Sequence, residues 1–488
     1  MNPAFSFAPS GFHLMNPRPF PPLFAALLCL AAGRAFTQET QPPVVVHAGP
    51  ITATLADGEL RYLQVGDREI VRRIYFAVRD DTWRTATPAF TRIDFSQEDD
   101  TFKVRLRADC KLGAVDYSWT GTITGSSTGE IEFEAEGGPN HPFKSNRIGL
   151  CLLFGADALV DQKFEYRNEA GEIAPGQFPR LVSPKHVADK FSALRYTTPN
   201  FMQVDVKLEG AKFSMEDQRN FGDSSFKAFA PLPYAYPEVS GDGTEHQKIT
   251  LSVLGAERKP AVKADPLRLR IGNPIPGAKI PQVKDVEPNP KLTAFSAINA
   301  QRETYQGQKV ITLAFNPSTH LRDDDMFMEN LVTPLDQVKT LHSFAPDAVI
   351  HYDPVGFDAA RPPGAPTDPR SETEFGAVWS AAILKEMALA GVESVGMVVA
   401  GDPARKIQHA IGAHAGTQLL ETIIDGPKYP AARPRIDALA IMEGQTRTIW
   451  LLNLTGDLQE VDVAGLHALP ALQPWEVREL TRVTPTVP

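Results

Sequence analysis

Five ionisable residues, Glu216, Asp217, Arg219, Asp223 and Lys227, crowd into the stretch FSMEDQRNFGDSSFKAF, residues 213–229. Side chains of this kind can do hydrolytic chemistry. Glu216 or Asp217 is a candidate general base for water, and Arg219 and Lys227 are candidate donors to the oxyanion that the attack of water creates. Gln218, Asn220 and Asp223 are candidate hydrogen-bonding partners for a polar ligand. The same composition also suits a purely structural part, a net of salt bridges that pins a loop. A second constellation is His320 with Asp323, Asp324 and Glu329 in THLRDDDMFMEN. His320 is a candidate base and the three acids are candidate ligand contacts; the structural alternative is that the aspartates cap a helix and complement its dipole. The spacing His-x-x-Asp-Asp is not a zinc signature such as H-E-x-x-H, and the chain has no CxxC pair and no phosphate-binding glycine motif. No cofactor is expected, with a divalent metal as the open alternative.

The elements that must position these residues change character along the chain. Over 42–256 apolar residues alternate with polar ones: Phe102, Val104, Leu106 and Ala108 face one way and Lys103, Arg105 and Arg107 the other. The pattern recurs in GEIEFEAEG and at Met202, Val204, Val206 and Leu208, and it predicts a large antiparallel β-sandwich. In it Phe213 and Met215 point inward, Ser214 and Glu216 outward, and Asp217 to Lys227 form a strand end and a loop bending at Gly222, at the rim where rigid sheets carry sites. Residues 257–291, with prolines at 260, 266, 274, 276, 281, 288 and 290, predict a linker holding one strand at LRLRI.

Beyond the linker the period becomes helical. Phe375, Val378, Trp379, Ala382, Ile383 and Met387 lie at spacings of three and four, Gly391 ends the helix, and the apolar SVGMVVAG follows. KVITLAF and DAVIHYD predict strands flanking a helix through Val338 and Leu341, and Asp402-Pro403 opens another helix. Residues 292–427 therefore predict parallel α/β units, over a span too short for a closed eightfold barrel of ~200 or more residues. Residues 428–488 return to strands in a small C-terminal β domain. The class is multidomain α+β.

Composition narrows the function classes. The chain has 488 residues, 42% of them hydrophobic, and 49 basic residues against 59 acidic ones give a net charge of −10. There is no basic block to track a phosphate backbone, so nucleic acid is not an expected partner. Residues 1–35 read as a secretory signal peptide: Arg18, the apolar run LFAALLCLAA at 23–32 and the small residues of Gly33-Arg34-Ala35. That run is too short for a membrane span of ~20 residues. The mature protein is expected to be secreted or periplasmic. Export would permit a disulfide between Cys110 and Cys151, with two buried thiols as the alternative. Asn453-Leu454-Thr455 matches a glycosylation sequon but lies in an apolar strand, which points to a structural part.

MEDQRNFGDSSFKAF resembles the signature of the D-apionate lactonase family, and further stretches agree: FKSNRIGLCLL at 143–153, GEIAPGQFPRLVSP, FNPSTHLRDDDMFMENL at 315–331, DPRSETEFGAVWSAAILKEMALAGVESV and LLNLTG. The resemblance implies a mutarotase-like β-sandwich (supersandwich), then a TIM-like barrel, here truncated, then a small β domain. It also implies opening of an aldonolactone ring by water, with a sugar lactone or other small carbohydrate as the ligand. Three departures stand out. The early barrel units are missing, Phe154-Gly155 stands where a His is expected, and GMVVAGDP stands where the last barrel strand should end in Glu. They leave two readings open: an exported sugar-lactone (apionolactone-like) hydrolase, or a non-catalytic carbohydrate-binding or degenerate glycosidase-like protein. A homodimer that completes the short barrel is a further expectation.

Overall fold

The computed structural model describes residues 42–198, 202–230, 238–240, 245–255, 267–317, 320, 323–362, 364–398, 401–426, 435–465 and 469–483. The proposed signal peptide lies outside the described residues.

The alternating segments form two antiparallel sheets. An eight-stranded sheet runs in the order 44–48, 51–56, 59–65, 68–79, 147–155, 225–229, 213–217, 188–191, and a nine-stranded sheet includes the strand Thr101–Leu112. Their inner faces share one core, in which Ile74, Phe76, Val78, Leu150, Leu152, Phe213, Met215 and Phe226 meet Val104, Leu106, Phe133 and Val206. The outer face of the nine-stranded sheet carries the exposed Lys103, Arg105 and Arg107, as alternation predicts. The strand Arg68–Arg79 differs, because from Ile70 onward every residue is buried whichever way it points. The second face of the eight-stranded sheet is therefore covered.

The cover is the α/β segment. Four parallel strands lie in the order Gln282–Val286, Ser394–Val398, Val349–Val355, Val310–Phe315, with helices Thr333–Phe344 and Glu374–Leu389 connecting them and Asp402–Gly412 following the last in chain order. This is an open sheet and not a closed barrel. Its helix Asp324–Glu329 brings Met326 into an apolar patch with Tyr75, Ala77, Cys151, Leu153 and Phe229 of the sandwich. Charges surround the patch. Arg73 reaches Asp323 at 2.7 Å, Arg61 reaches Asp323 and Asp325 at 3.3 and 3.1 Å, and Tyr62 donates to Glu329 at 2.6 Å.

Two boundaries differ from the sequence reading. The predicted linker contains the strand Leu267–Lys279, which pairs with Gln418–Asp425 and Val461–Val463 in a six-stranded C-terminal sheet, and the strand Gln282–Val286 of the parallel sheet. Its prolines are accommodated because the register shifts on both sides of Pro274, which relieves the ladder of a missing donor. Gln418–Asp425, read as part of the α/β segment, belongs with the C-terminal strands. Asn453 is fully buried, its amide donating to Asp457 O and Gln473 O, so the sequon residue is a structural clamp. Cys110 and Cys151 are buried free thiols on different sheets. Among the described residues no helix is long and apolar enough to cross a membrane.

Candidate functional site

Register decides which side chains share the covered face. On the strand Arg68–Arg79 the residues Arg73, Tyr75 and Arg79 point away from the sandwich core; opposite them on Arg147–Gly155 stand Leu153, Cys151 and Arg147. Cys151 and Leu153 are in turn opposite Phe229 and Lys227, and Lys227 is opposite Glu216. Three cations, Arg79, Arg147 and Lys227, are thus buried on one face. Arg147 lies over the Phe229 ring at 3.2 Å from its centroid, and Lys227 Nζ is 5.8 Å from the same centroid.

Two hydrogen-bonded groups face these cations. Lys227 donates to Gln218 Oε1 at 2.7 Å, and Gln218 Nε2 donates to Glu216 Oε2 at 2.9 Å, a chain that fixes the ammonium. Burial, then the charges of Arg79 and Arg147, bring the Lys227 ammonium down to about 7 in spite of Glu216. Burial raises the Glu216 carboxyl, but the contact with His186 and the charges of Lys227 and Arg147 pull it down to about 2. The second group is a dyad: His320 Nδ1 lies 2.5 Å from Asp223 Oδ2, and Asn330 Nδ2 donates to Asp223 Oδ1 at 3.1 Å. Burial, then Lys227, hold His320 down at about 4 against the attraction of Asp223, with Arg79 acting in the same direction. His320 is therefore neutral at pH 7. A carboxylate only accepts, so the ring proton sits on Nδ1 and Nε2 keeps a lone pair. Phe221 packs edge-on against the imidazole.

Several other sequence candidates hold the two layers together. Asp217 is fully buried, accepting from Arg219 Nε and Nη2 at 2.9 and 2.8 Å and from Ser183 N at 2.9 Å. Burial raises its carboxyl above the ordinary range against these bonds. Arg219 also donates to Asp336 at 3.0 Å and to the carbonyls of Pro179 and Arg180. Asn220 donates to Ser183 O and accepts from Asn299 at 2.7 Å. The hydrogen-bonding capacity of these three is taken up inside the protein, which gives them structural parts in place of the catalytic and ligand-binding ones expected. Asp323 caps the helix Asp324–Glu329 by accepting from Met326 N and joins Arg61 and Arg73; Glu329 is held by Tyr62 and Arg72. Asp324 pairs with Arg370 at a half-exposed position. Asp323 and Glu329 serve the contact between layers, whereas the Asp324–Arg370 pair lies within the α/β segment. Among the described residues no three His, Cys, Asp or Glu side chains gather as a metal site would require.

One prediction follows from the buried pair. Arg219→Met leaves Asp217 without its counter-charge and is expected to lower the unfolding free energy by about 3–5 kcal/mol, read from the urea midpoint. An unchanged midpoint would show that the pair contributes nothing in solution.

Sequence reasoning reached Glu216, Gln218, Lys227, Asp223 and His320 but missed Arg79, Arg147, Tyr75 and Asn330. The signal was present in RRIYFAVR, residues 72–79, where alternation places Arg73, Tyr75 and Arg79 on the face away from the core.

Comparison with known proteins supplies the family. The model of the D-apionate lactonase N-terminal domain matches residues 32–256, and that of the D-apionate lactonase TIM barrel domain matches residues 291–412. D-apionate lactonase of Brucella anthropi is 26% identical over 275 residues, which cover 55% of this chain and 45% of that protein. The chain thus spans less than half the length of the curated relative it matches. Among solved structures, a galactose mutarotase related enzyme from Lactobacillus acidophilus aligns with 45% of this chain and 100% of its own, at 8% identity and a TM-score of 0.30. An α-galactosidase from Geobacillus stearothermophilus aligns over 90% and 99%, at 8% identity and a TM-score of 0.32. Likenesses of that size carry no functional argument. The two domain models match in order along the sandwich and the α/β segment, and the chain belongs to the D-apionate lactonase family.

Proposed function

We propose that the protein is a sugar-lactone hydrolase whose reaction centre lies between the His320–Asp223 dyad and the Lys227 ammonium, on the covered face of the eight-stranded sheet. The observation that carries this reading is a neutral histidine only 12% exposed, oriented by a carboxylate, within electrostatic reach of a buried lysine. His320 Nε2 takes a proton from water as the water oxygen bonds to the lactone carbonyl carbon. Lys227 donates to the carbonyl oxygen as it becomes an oxyanion. The ring C–O bond then breaks, and the imidazolium returns its proton to the departing alkoxide. The product is a hydroxy acid, which ionises near neutral pH. Asp223 holds the imidazole in the required tautomer, and Glu216, acting through Gln218, keeps Lys227 in place.

A pH-stat assay of the protein on a panel of aldonolactones, apionolactone among them, tests this reading. Turnover above the spontaneous rate is expected, with a bell-shaped kcat/KM profile. The acid limb reports His320, which must be neutral, at about 4; the alkaline limb reports Lys227, which must be charged, at about 7. A profile that rises without a break through pH 8 would remove Lys227 from the mechanism. The open four-stranded sheet favours a second reading, a carbohydrate-binding protein without turnover. Sugar binding by calorimetry with no proton release from any lactone would support it. From the apolar run at 23–32 we further propose that the protein acts after export.

A further inference from the structure

The buried arginines of the eight-stranded sheet fall into two groups. Arg61, Arg72 and Arg73 each pair with carboxylates, and Arg219, which joins the strand ends, does too. Arg79 and Arg147 do not. Arg79 is 1% exposed, and its Nε, Nη1 and Nη2 have no hydrogen-bond partner among the described residues. Arg147, directly opposite it in the sheet, is 3% exposed, and its Nε and Nη1 have no hydrogen-bond partner among the described residues. The Tyr75 hydroxyl is also buried without a hydrogen-bond partner among the described residues. Native proteins rarely leave one charged donor in this condition, and here two guanidinium groups of like charge share a place with a further idle hydroxyl. An anion between the arginines would offset their mutual repulsion and satisfy their donors. A neutral sugar ring offers hydroxyl dipoles, which cannot compensate two buried positive charges. A planar carboxylate fits the paired guanidinium forks.

We propose that Arg79 and Arg147, with Tyr75, form a carboxylate subsite beside the reaction centre, so that the preferred substrate is a sugar lactone bearing a free acid group, an aldarolactone. This rests on the lactonase reading and specifies its substrate class. The two places are neighbours: Arg147 and Lys227 approach the same Phe229 ring, at 3.2 and 5.8 Å from its centroid. The lactone carbonyl then lies at Lys227 and His320, with the distal carboxylate at Arg79 and Arg147.

Two measurements test the subsite separately from the chemistry. The first compares kcat/KM on D-glucaro-1,4-lactone, which carries a carboxylate, with D-galactono-1,4-lactone, which does not. A preference of ~10²-fold or more for the acid is expected, and Arg79→Met should reduce that ratio by ~10–100-fold, as loss of charged hydrogen bonds implies. The second is thermal denaturation with D-glucarate, galactitol or inorganic phosphate. Glucarate should raise the melting temperature of the wild type in proportion to the logarithm of its concentration, galactitol should not, and Arg79→Met should abolish the response. Arg79→Lys, which keeps the charge but loses the fork, guards against misfolding of the methionine variant and should retain part of the response. Equal kcat/KM on both lactones with no response to glucarate would overturn the subsite and leave the lactonase reading standing. A glucarate response lost in Arg79→Met, with no lactone hydrolysed, would uphold the subsite and overturn the lactonase reading. Stronger stabilisation by phosphate than by glucarate would overturn the assignment to a carboxylate.

Discussion

Replacing His320 by alanine is expected to lower kcat/KM on any hydrolysed lactone by about 10²–10⁴-fold, the usual contribution of a positioned general base. The acid limb of the pH profile should vanish with it. The argument rests on the state of the ring. Burial and the neighbouring cations hold His320 at about 4, so the imidazole is already neutral where the lysine is still charged. Such a base is weak in the proton-affinity sense, yet it lies beside an ammonium that stabilises the developing oxyanion, which eases the demand on it. Asp223→Asn retains the shape of the dyad but allows the amide to donate to Nδ1, the wrong tautomer for catalysis. It should therefore lose most of what His320→Ala loses, although the histidine is still present. If His320→Ala keeps wild-type kcat/KM, the base lies elsewhere, and Glu216, already ionised and partly exposed, is the next group to replace.

Much of this arrangement is legible in the sequence, and the parts that are not share a physical cause. Alternation at Phe102 to Ala108 assigns its strand because one face is apolar, and the spacing from Phe375 to Met387 assigns a helix that proves buried nearly all round, from Phe375 through Leu384 without a break. The crowd of charges at 213–229 marks a special place, but two functions overlap there. Period two puts Asp217 on the inward face with Phe213 and Met215, where it is tolerated only because Arg219 folds back onto it, whereas Glu216 and Lys227 lie on the opposite face. Reading Asp217 as a catalytic base neglects that parity. Arg79 and Arg147 escape notice for another reason. Each is an ordinary charged residue in its own strand, and the pair exists only through a register between strands far apart in the chain. The strand Gln418–Asp425 is similar, since its partner Leu267–Lys279 lies beyond the whole α/β segment. Local pattern cannot announce a contact that topology creates.

Lys227→Met should abolish most activity and, at the same time, stabilise the ligand-free protein. The loss is expected to be about 10²–10³-fold in kcat, the effect of removing one oxyanion donor. The gain comes from electrostatics. In the folded protein the Lys227 ammonium titrates at about 7, against 10.5 for an exposed lysine. Between those values the unfolded chain binds more protons than the folded one, so stability rises with pH across that window. Below pH 7 the folded protein carries the whole penalty of a buried cation beside Arg79 and Arg147. Methionine fills a similar volume without the charge, which lifts the burial and like-charge penalty that lowers the Lys227 ammonium. The melting temperature of Lys227→Met should therefore exceed that of the wild type at pH 6, and the difference should shrink as pH rises from 7 toward 10.5. A residue kept for stability alone would behave in the opposite way. If the variant melts lower than the wild type at pH 6, Lys227 is a strut acting through Gln218, and the oxyanion role assigned to it falls. A stabilised, inactive variant would instead mean that this face retains a destabilising charge because the reaction requires it.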